Sequence, residues 1–263
     1  MRVRIMLLFW VLSIRVLGQV APEAIEFKPA YLPGEHLTYR FAFGFFDAAV
    51  ADVAVHTSST PNQWDLVVHG ETVRGFRWVF EVDDLYRSTI DAASGWPIEF
   101  ERDINEGGYE LWQHYQFQWE DLSVKTATAR GNSPPTHQEH ELPRRGHDMV
   151  SGLFALRQIP WHEKHPGDTV RIGLFMDEEW FDLELVHEGY QRIEAAGQMW
   201  NCIALQPVVQ TGRIWKQSDD LRVYVSNDGR HIPVLAETRI LFGKIRMELA
   251  HASGLRNPSL AIE

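Results

Sequence analysis

The chain is 263 residues long, with 44% apolar and 23% charged residues and a formal net charge of −11. That apolar content is enough to offset chain entropy, which excludes disorder as the main state, and the acidic balance excludes the basic footprint of a nucleic-acid binder. A single cysteine, Cys202, excludes an intrachain disulfide and a cysteine-rich zinc site.

The N-terminus reads as a processing segment. Arg2 and Arg4 precede an apolar run from Ile5 to Ile14, interrupted only by Ser13. At about ten residues the run is too short for a bilayer core of about 30 Å. Val16-Leu17-Gly18 places small side chains where a signal peptidase reads. The pattern predicts a signal peptide over residues 1–18, with cleavage near Gly18 and a single β-rich domain over 19–263 that is periplasmic or extracellular. Losing Arg2, Arg4 and Arg15 leaves 22 Lys+Arg against 36 acids, a net charge of −14. No second apolar run reaches the length of a membrane helix, so no transmembrane segment is predicted. The low pI makes anionic membrane surfaces, like nucleic acid, poor electrostatic partners.

From residue 37 onward the dominant period is two. Leu37, Tyr39, Phe41 and Phe43 share one face. In the run from Tyr109 to Trp119, Tyr109, Leu111, Tyr115, Phe117 and Trp119 share one face, and Glu110, His114, Gln116 and Gln118 the other. Leu221 to Val225 and Ile245 to Leu249 alternate in the same way. This is the pattern of antiparallel strands with one face on a core. Turn signals recur at Pro33-Gly34, Ser94-Gly95, Gly107-Gly108, Asp228-Gly229 and Gly243, and the runs on either side of Gly243 read as a terminal hairpin. Arg130 to Pro135 is the most loop-like stretch and is read as an internal crossover between two halves of one domain. One amphipathic helix is predicted over about residues 147–158, with Asp148 at its positive end, Arg157 at its negative end and Pro160 beyond. Cys202, in the apolar run Met199 to Leu205, is read as a buried strand residue. The expected fold is mainly β: an antiparallel open barrel or curved-sheet sandwich with one main helix.

Five features in order resemble an exported bacterial family known as domain of unknown function 3108. They are Gly34-Glu35-x-Leu37-x-Tyr39; Ser88-x-Ile90-Asp91 followed by Pro97; Glu106-Gly107-Gly108; Asp148 with Leu153 and Arg157; and Asp228-x-Arg230-x-Ile232-Pro233. They span about residues 27 to 250. The resemblance implies a mostly antiparallel, open and curved sheet of the lipoprotein-carrier type. It brings no catalytic residue with it.

Several constellations invite chemistry. His137-Gln138-Glu139-His140 with Glu141 and His147, and His162 with His165, offer imidazole and carboxylate donors. Their spacing is not that of a helical zinc site, and they read as a solvated polar loop. Glu99 and Glu101, two apart on a strand, project to one side about 6.6 Å apart, a separation compatible with a glycosidase pair. No nucleophile elbow and no phosphate-binding glycine loop is present. Trp112 falls on the polar face of its strand, where an aromatic side chain stacks on a sugar, lines a groove or meets a partner, or else is core beneath a second layer. Asp228 and Arg230 read as a turn and an ion pair. The residues expected to contact a ligand are Trp112, Tyr109, Glu99, Glu101, Asp228 and Arg230. No catalytic residue, metal or cofactor is assigned.

The leading expectation is a non-enzymatic envelope protein that binds or carries an apolar or sugar-containing ligand. A periplasmic glycan-active enzyme using paired carboxylates is the first alternative. A structural partner within an envelope complex is the second. The partners expected are a lipid or glycan ligand or an envelope protein, with no nucleic acid.

Overall fold

The period-two alternation is realised as fourteen antiparallel strands in one sheet. The computed structural model describes residues 29–208, 221–240 and 243–256. The predicted leader and its cleavage point at Gly18 lie outside the described residues. In chain order the strands are β1 (His36–Phe43), β2 (Phe46–Thr57), β3 (Gln63–Thr72), β4 (Asp83–Asp91), β5 (Pro97–Glu106), β6 (Tyr109–Gln118), β7 (Ser123–Arg130) and β8 (Thr136–Glu141). Helix α1 (Met149–Leu156) follows, and then β9 (Thr169–Met176), β10 (Glu179–Ala195), β11 (Gln198–Val208), β12 (Leu221–Ser226), β13 (Pro233–Ile240) and β14 (Gly243–Ser253).

The spatial order is β8-β7-β6-β5-β4-β3-β2-β1-β14-β13-β12-β11-β10-β9. Each strand therefore pairs with its sequence neighbour, the last strand closes against the first, and the ladder is broken only between β8 and β9. The chain crosses that break through α1. The crossover thus lies after β8 rather than at Arg130 to Pro135, which is a tight β7–β8 connection. The histidine-rich segment expected as loop is strand β8. Its side chains show no apolar alternation because it is an edge strand held by its backbone pairing to β7, and polar residues on an edge discourage further pairing.

At the break the sheet overlaps itself. Phe175 of β9 packs against Tyr115 and Phe117 of β6 and His140 of β8. Beyond it, the β9–β10 turn uses Asp177 and Glu178 at φ 54° and 63°. Two successive non-glycine residues in the left-handed region store strain, so the turn needs outside support. Arg102 of β5 pairs with Asp177, and Thr128 of β7 donates to Glu178 at 2.6 Å. All these partners face inward on β5–β8, so the β9–β10 edge tucks inside the opposite edge. The segment before α1 adds two backbone bonds to β9, from His147 N to Gly173 O and from Phe175 N to His147 O. Gly146 and Gly173 make room for the Trp180 ring, which lies 2.3 and 2.1 Å from where their Cβ atoms would sit.

Helix α1 fills the concave face of the N-terminal half. Its Val150 and Phe154 join Tyr31, Phe100, Tyr115, Phe117 and Phe175 in one buried cluster. Tyr31 meets Phe154 edge-on at 4.7 Å between centroids. In the C-terminal half, Leu37, Tyr39, Trp200, Cys202, Tyr224 and Leu249 form a second cluster. Cys202 is a free, buried strand residue, and burial pushes its thiol up to about 12.

The helix ends are fixed by charge. Asp148 is the N-cap: Oδ1 accepts from the backbone N–H groups of Val150 and Ser151 at 2.8 and 2.9 Å, and Oδ2 accepts from the hydroxyls of Ser88 and Ser151 at 2.6 and 2.8 Å. Burial raises its pKa, opposed by those hydrogen bonds. Arg157 is the C-cap. It is 4% exposed and pairs in two-pronged fashion, at 2.5 and 3.0 Å, with Glu35, which is 1% exposed. Its Nε donates to the Arg230 carbonyl, its own carbonyl meets His231 Nδ1 at 2.7 Å, and its guanidinium lies over the rings of Tyr31 and Phe154.

Replacing Arg157 with Met leaves the Glu35 carboxylate buried without its counter-charge, at a cost of about 3–5 kcal/mol. Replacing Glu35 and Arg157 together with apolar residues should cost less than Arg157→Met alone, as read by urea denaturation; equal or larger loss in the double variant would contradict this. His147 stacks on Trp96 at 4.7 Å with its Nδ1 shielded from water and unbonded, and burial lowers its pKa from 6.5 to about 4. Burial also lowers His187 and His231. At His147 the unfolded chain then holds more protons than the folded one between pH 6.5 and 4, so this group's contribution to stability falls as the pH drops through that window. Thermal unfolding should show this decline, and His147→Phe, which keeps the stack, should flatten it; an unchanged slope would sink the assignment.

Candidate functional site

The outer face of β5–β8 gathers polar and aromatic side chains that the core does not use. Antiparallel register places Glu99 opposite Gln116, Glu101 opposite His114, and Trp112 opposite Asp103. On the next strand Lys125 lies opposite Gln116, Ala127 opposite His114 and Ala129 opposite Trp112. β8 brings His137 and Glu139 alongside Ala127 and Lys125. The two alanines are short where their neighbours are long. The result is an open groove of about 410 Å³, lined chiefly by His114, Gln116, Lys125, Ala127, His137 and Glu139.

Trp112 stands at the edge of this face. Its Nε1 donates to Glu101 at 2.9 Å, and its ring stacks with His114 at 6.1 Å and 24°. Glu99 accepts from Gln116 at 3.3 Å and sits 4.0 Å from His114 Nε2. Trp112 is half-buried and not covered by a second layer. Its indole is thus held in orientation and partly exposed, beside carboxylate, amide and imidazole groups that both donate and accept.

The other expected contact residues lie elsewhere. Tyr109 opens β6 at the rim and is half-exposed. Asp228 and Arg230 belong to the β12–β13 turn, with six strands between β12 and β5 in the sheet. Asp228 accepts from Ser226 Oγ, the Arg230 N–H and the Arg230 guanidinium, all within 2.9 Å. Burial works to raise this carboxyl, but the bonds from Arg230 and Ser226 hold it below its ordinary range. Its hydrogen-bonding capacity is used inside the turn.

The histidine cluster is divided by strand alternation. His137, Glu139 and Glu141 point outward, whereas His140 points inward to Thr126 and Phe175. His147 faces Trp96. Among the described residues no group of three or more His, Cys, Asp or Glu side chains is placed to hold a metal ion. No helix among them is long and apolar enough to cross a membrane.

Sequence reasoning passed over Glu35, which partners Arg157, and the groove residues His114, Gln116 and Lys125. The signal was present: β6 and β7 alternate in phase, so Trp112-x-His114-x-Gln116 faces Lys125-x-Ala127-x-Ala129 once the two are paired.

The chain was also compared with known proteins. No curated protein matches it. Among solved structures it is similar to a beta-barrel-like protein of domain of unknown function DUF1849 from Brucella abortus, with TM-score 0.51 and 9% identity over 83% of this chain and 96% of that one. At that identity the likeness concerns the fold alone. A family model described as protein of unknown function (DUF3108) matches residues 38–250. The chain belongs to that family.

Proposed function

We propose that this is an exported, envelope-associated, non-enzymatic protein that binds a sugar-containing ligand along the outer face of β5–β8. The observation that carries this reading is Trp112, oriented by Glu101 and stacked on His114 at the edge of the groove. An indole face suits the C–H face of a pyranose, and the neighbouring Glu99, Gln116, Lys125 and His137 offer donors and acceptors for its hydroxyls. The sugar half of the expectation is favoured over the apolar half because the aromatic side chains of the concave face are packed around α1. Export rests on the leader-like residues 1–18.

The enzymatic alternative keeps one supporting observation, that Glu99 and Glu101 share this outer face. The test is titration of solubilised cell-wall glycan strands into the purified chain, followed by product analysis. Binding should weaken at least about tenfold in Trp112→Ala, equal to 1.4 kcal/mol, and less in Glu101→Gln, with the glycan recovered at its original length. A chain that binds no glycan, or a Trp112→Ala variant that binds as well as the parent, would overturn the reading. Shortened glycan that disappears with Glu101→Gln would replace it with a hydrolase.

A further inference from the structure

One rim of the sheet carries an apolar patch that neither the core nor the groove uses. Antiparallel turns alternate between two rims, and those joining β1–β2, β3–β4 and β5–β6 fall on the same one, beside the start of β14. They are in contact with one another. Gly44 N donates to Lys244 O at 3.2 Å, Val73 N to Ala48 O at 3.0 Å, and Gly107 N to Glu81 O at 2.8 Å. The Phe80 ring sits so close to Gly107, which has φ 55°, that a Cβ there would meet it at 2.8 Å.

From this rim project Phe45 (104% exposed), Phe46 (67%), Trp78 (85%), Val79 (51%), Phe80 (50%) and Tyr109 (50%). Scattered apolar residues on a surface need no explanation, but a contiguous set at projecting tips does. The tips are held in place. Residues 73–80 are wound by backbone bonds from Phe76 and Arg77 to Val73 and from Val79 and Phe80 to Phe76. Trp78 Nε1 is already bonded to the Gly75 carbonyl at 3.0 Å, so its ring enters an apolar medium without stripping a donor of water.

We propose that this rim seats the protein on a phospholipid surface, its aromatic tips entering the interfacial zone of the bilayer. Two features select that occupant. The exposed side chains are mainly Trp, Tyr and Phe, the types that favour the membrane–water interface. They stand on separate projecting turns rather than on a flat face that could mate with a second copy. Arg77 pairs with Glu71 and Glu81, and Asp47 and Glu110 border the tips, so the aromatic side chains and not charge carry the attraction.

The experiment is flotation of the purified chain with phosphatidylcholine vesicles. A triple variant, Phe45→Ser, Phe46→Ser and Trp78→Ser, changes only exposed tips. The parent should float with the vesicles, and the variant should partition at least about tenfold less, with its unfolding midpoint and glycan titration unchanged. A parent that stays in the soluble fraction, or a variant that floats equally well, would overturn the proposal. So would self-association of the parent that the triple variant abolishes, which would assign the rim to a second copy. Glycan binding is read separately, so failure of either proposal leaves the other standing.

Discussion

The structure depends on one buried guanidinium. Arg157 joins parts of the chain that the sheet ladder does not hold together: Glu35, 122 residues away at the start of β1, and the Arg230 carbonyl, 73 residues away in the β12–β13 turn. A buried ion pair gains little net stability over an apolar pair, because two charges must leave water. Its contribution here is register. The ladder is open between β8 and β9, so backbone pairing alone does not define how far the sheet curls. The C-cap of α1 does, because only one position of the helix places the fork of Arg157 on both oxygens of Glu35 and beneath the Tyr31 ring. Asp148 fixes the other end of the same helix to β4 through Ser88. The side-chain seam from Arg102 to Asp177 then closes the overlap.

This arrangement separates two kinds of polar residue. Glu35, Ser88, Asp148, Arg157, Asp228 and Arg230 satisfy one another inside the molecule, and their hydrogen-bonding capacity is committed there. The outer groove of β5–β8 and the aromatic rim present side chains that the fold does not need. The first set holds the architecture, and a fold of this kind leaves function to its surfaces. The similarity at 9% identity to another barrel-like protein of unknown function fits that division, since a fold can persist while its surfaces change.

Much of the fold was legible in the sequence, and the exceptions have physical causes. The strands with an apolar face, such as β1, β6, β12 and β14, were visible because burial on one side imposes period two. The helix was visible through its apolar spacing and its two charged ends, which turned out to be its caps. β8 was not visible, because an edge strand exposed on both sides carries no alternation and Thr136 to Glu141 reads as polar loop. Of the candidate site, Glu99, Glu101 and Trp112 were legible as outward residues of their strands. Their union with Lys125 and His137 was not, because register between strands is a tertiary fact that a single sequence does not print. The Glu35–Arg157 pair was hidden for the same reason: both residues lay in the quoted motifs, but a contact across 122 residues leaves no local pattern.

On the proposed function, the buried pair is a lock and glycan binding belongs to the outer face. The most direct measurement is glycan titration of the Glu35→Leu, Arg157→Met double variant at a temperature where circular dichroism shows it folded. The expected result is a lowered unfolding midpoint and a glycan affinity within about twofold of the parent, since no groove residue is disturbed. A folded double variant that no longer binds glycan would place Arg157 in the binding machinery and contradict it.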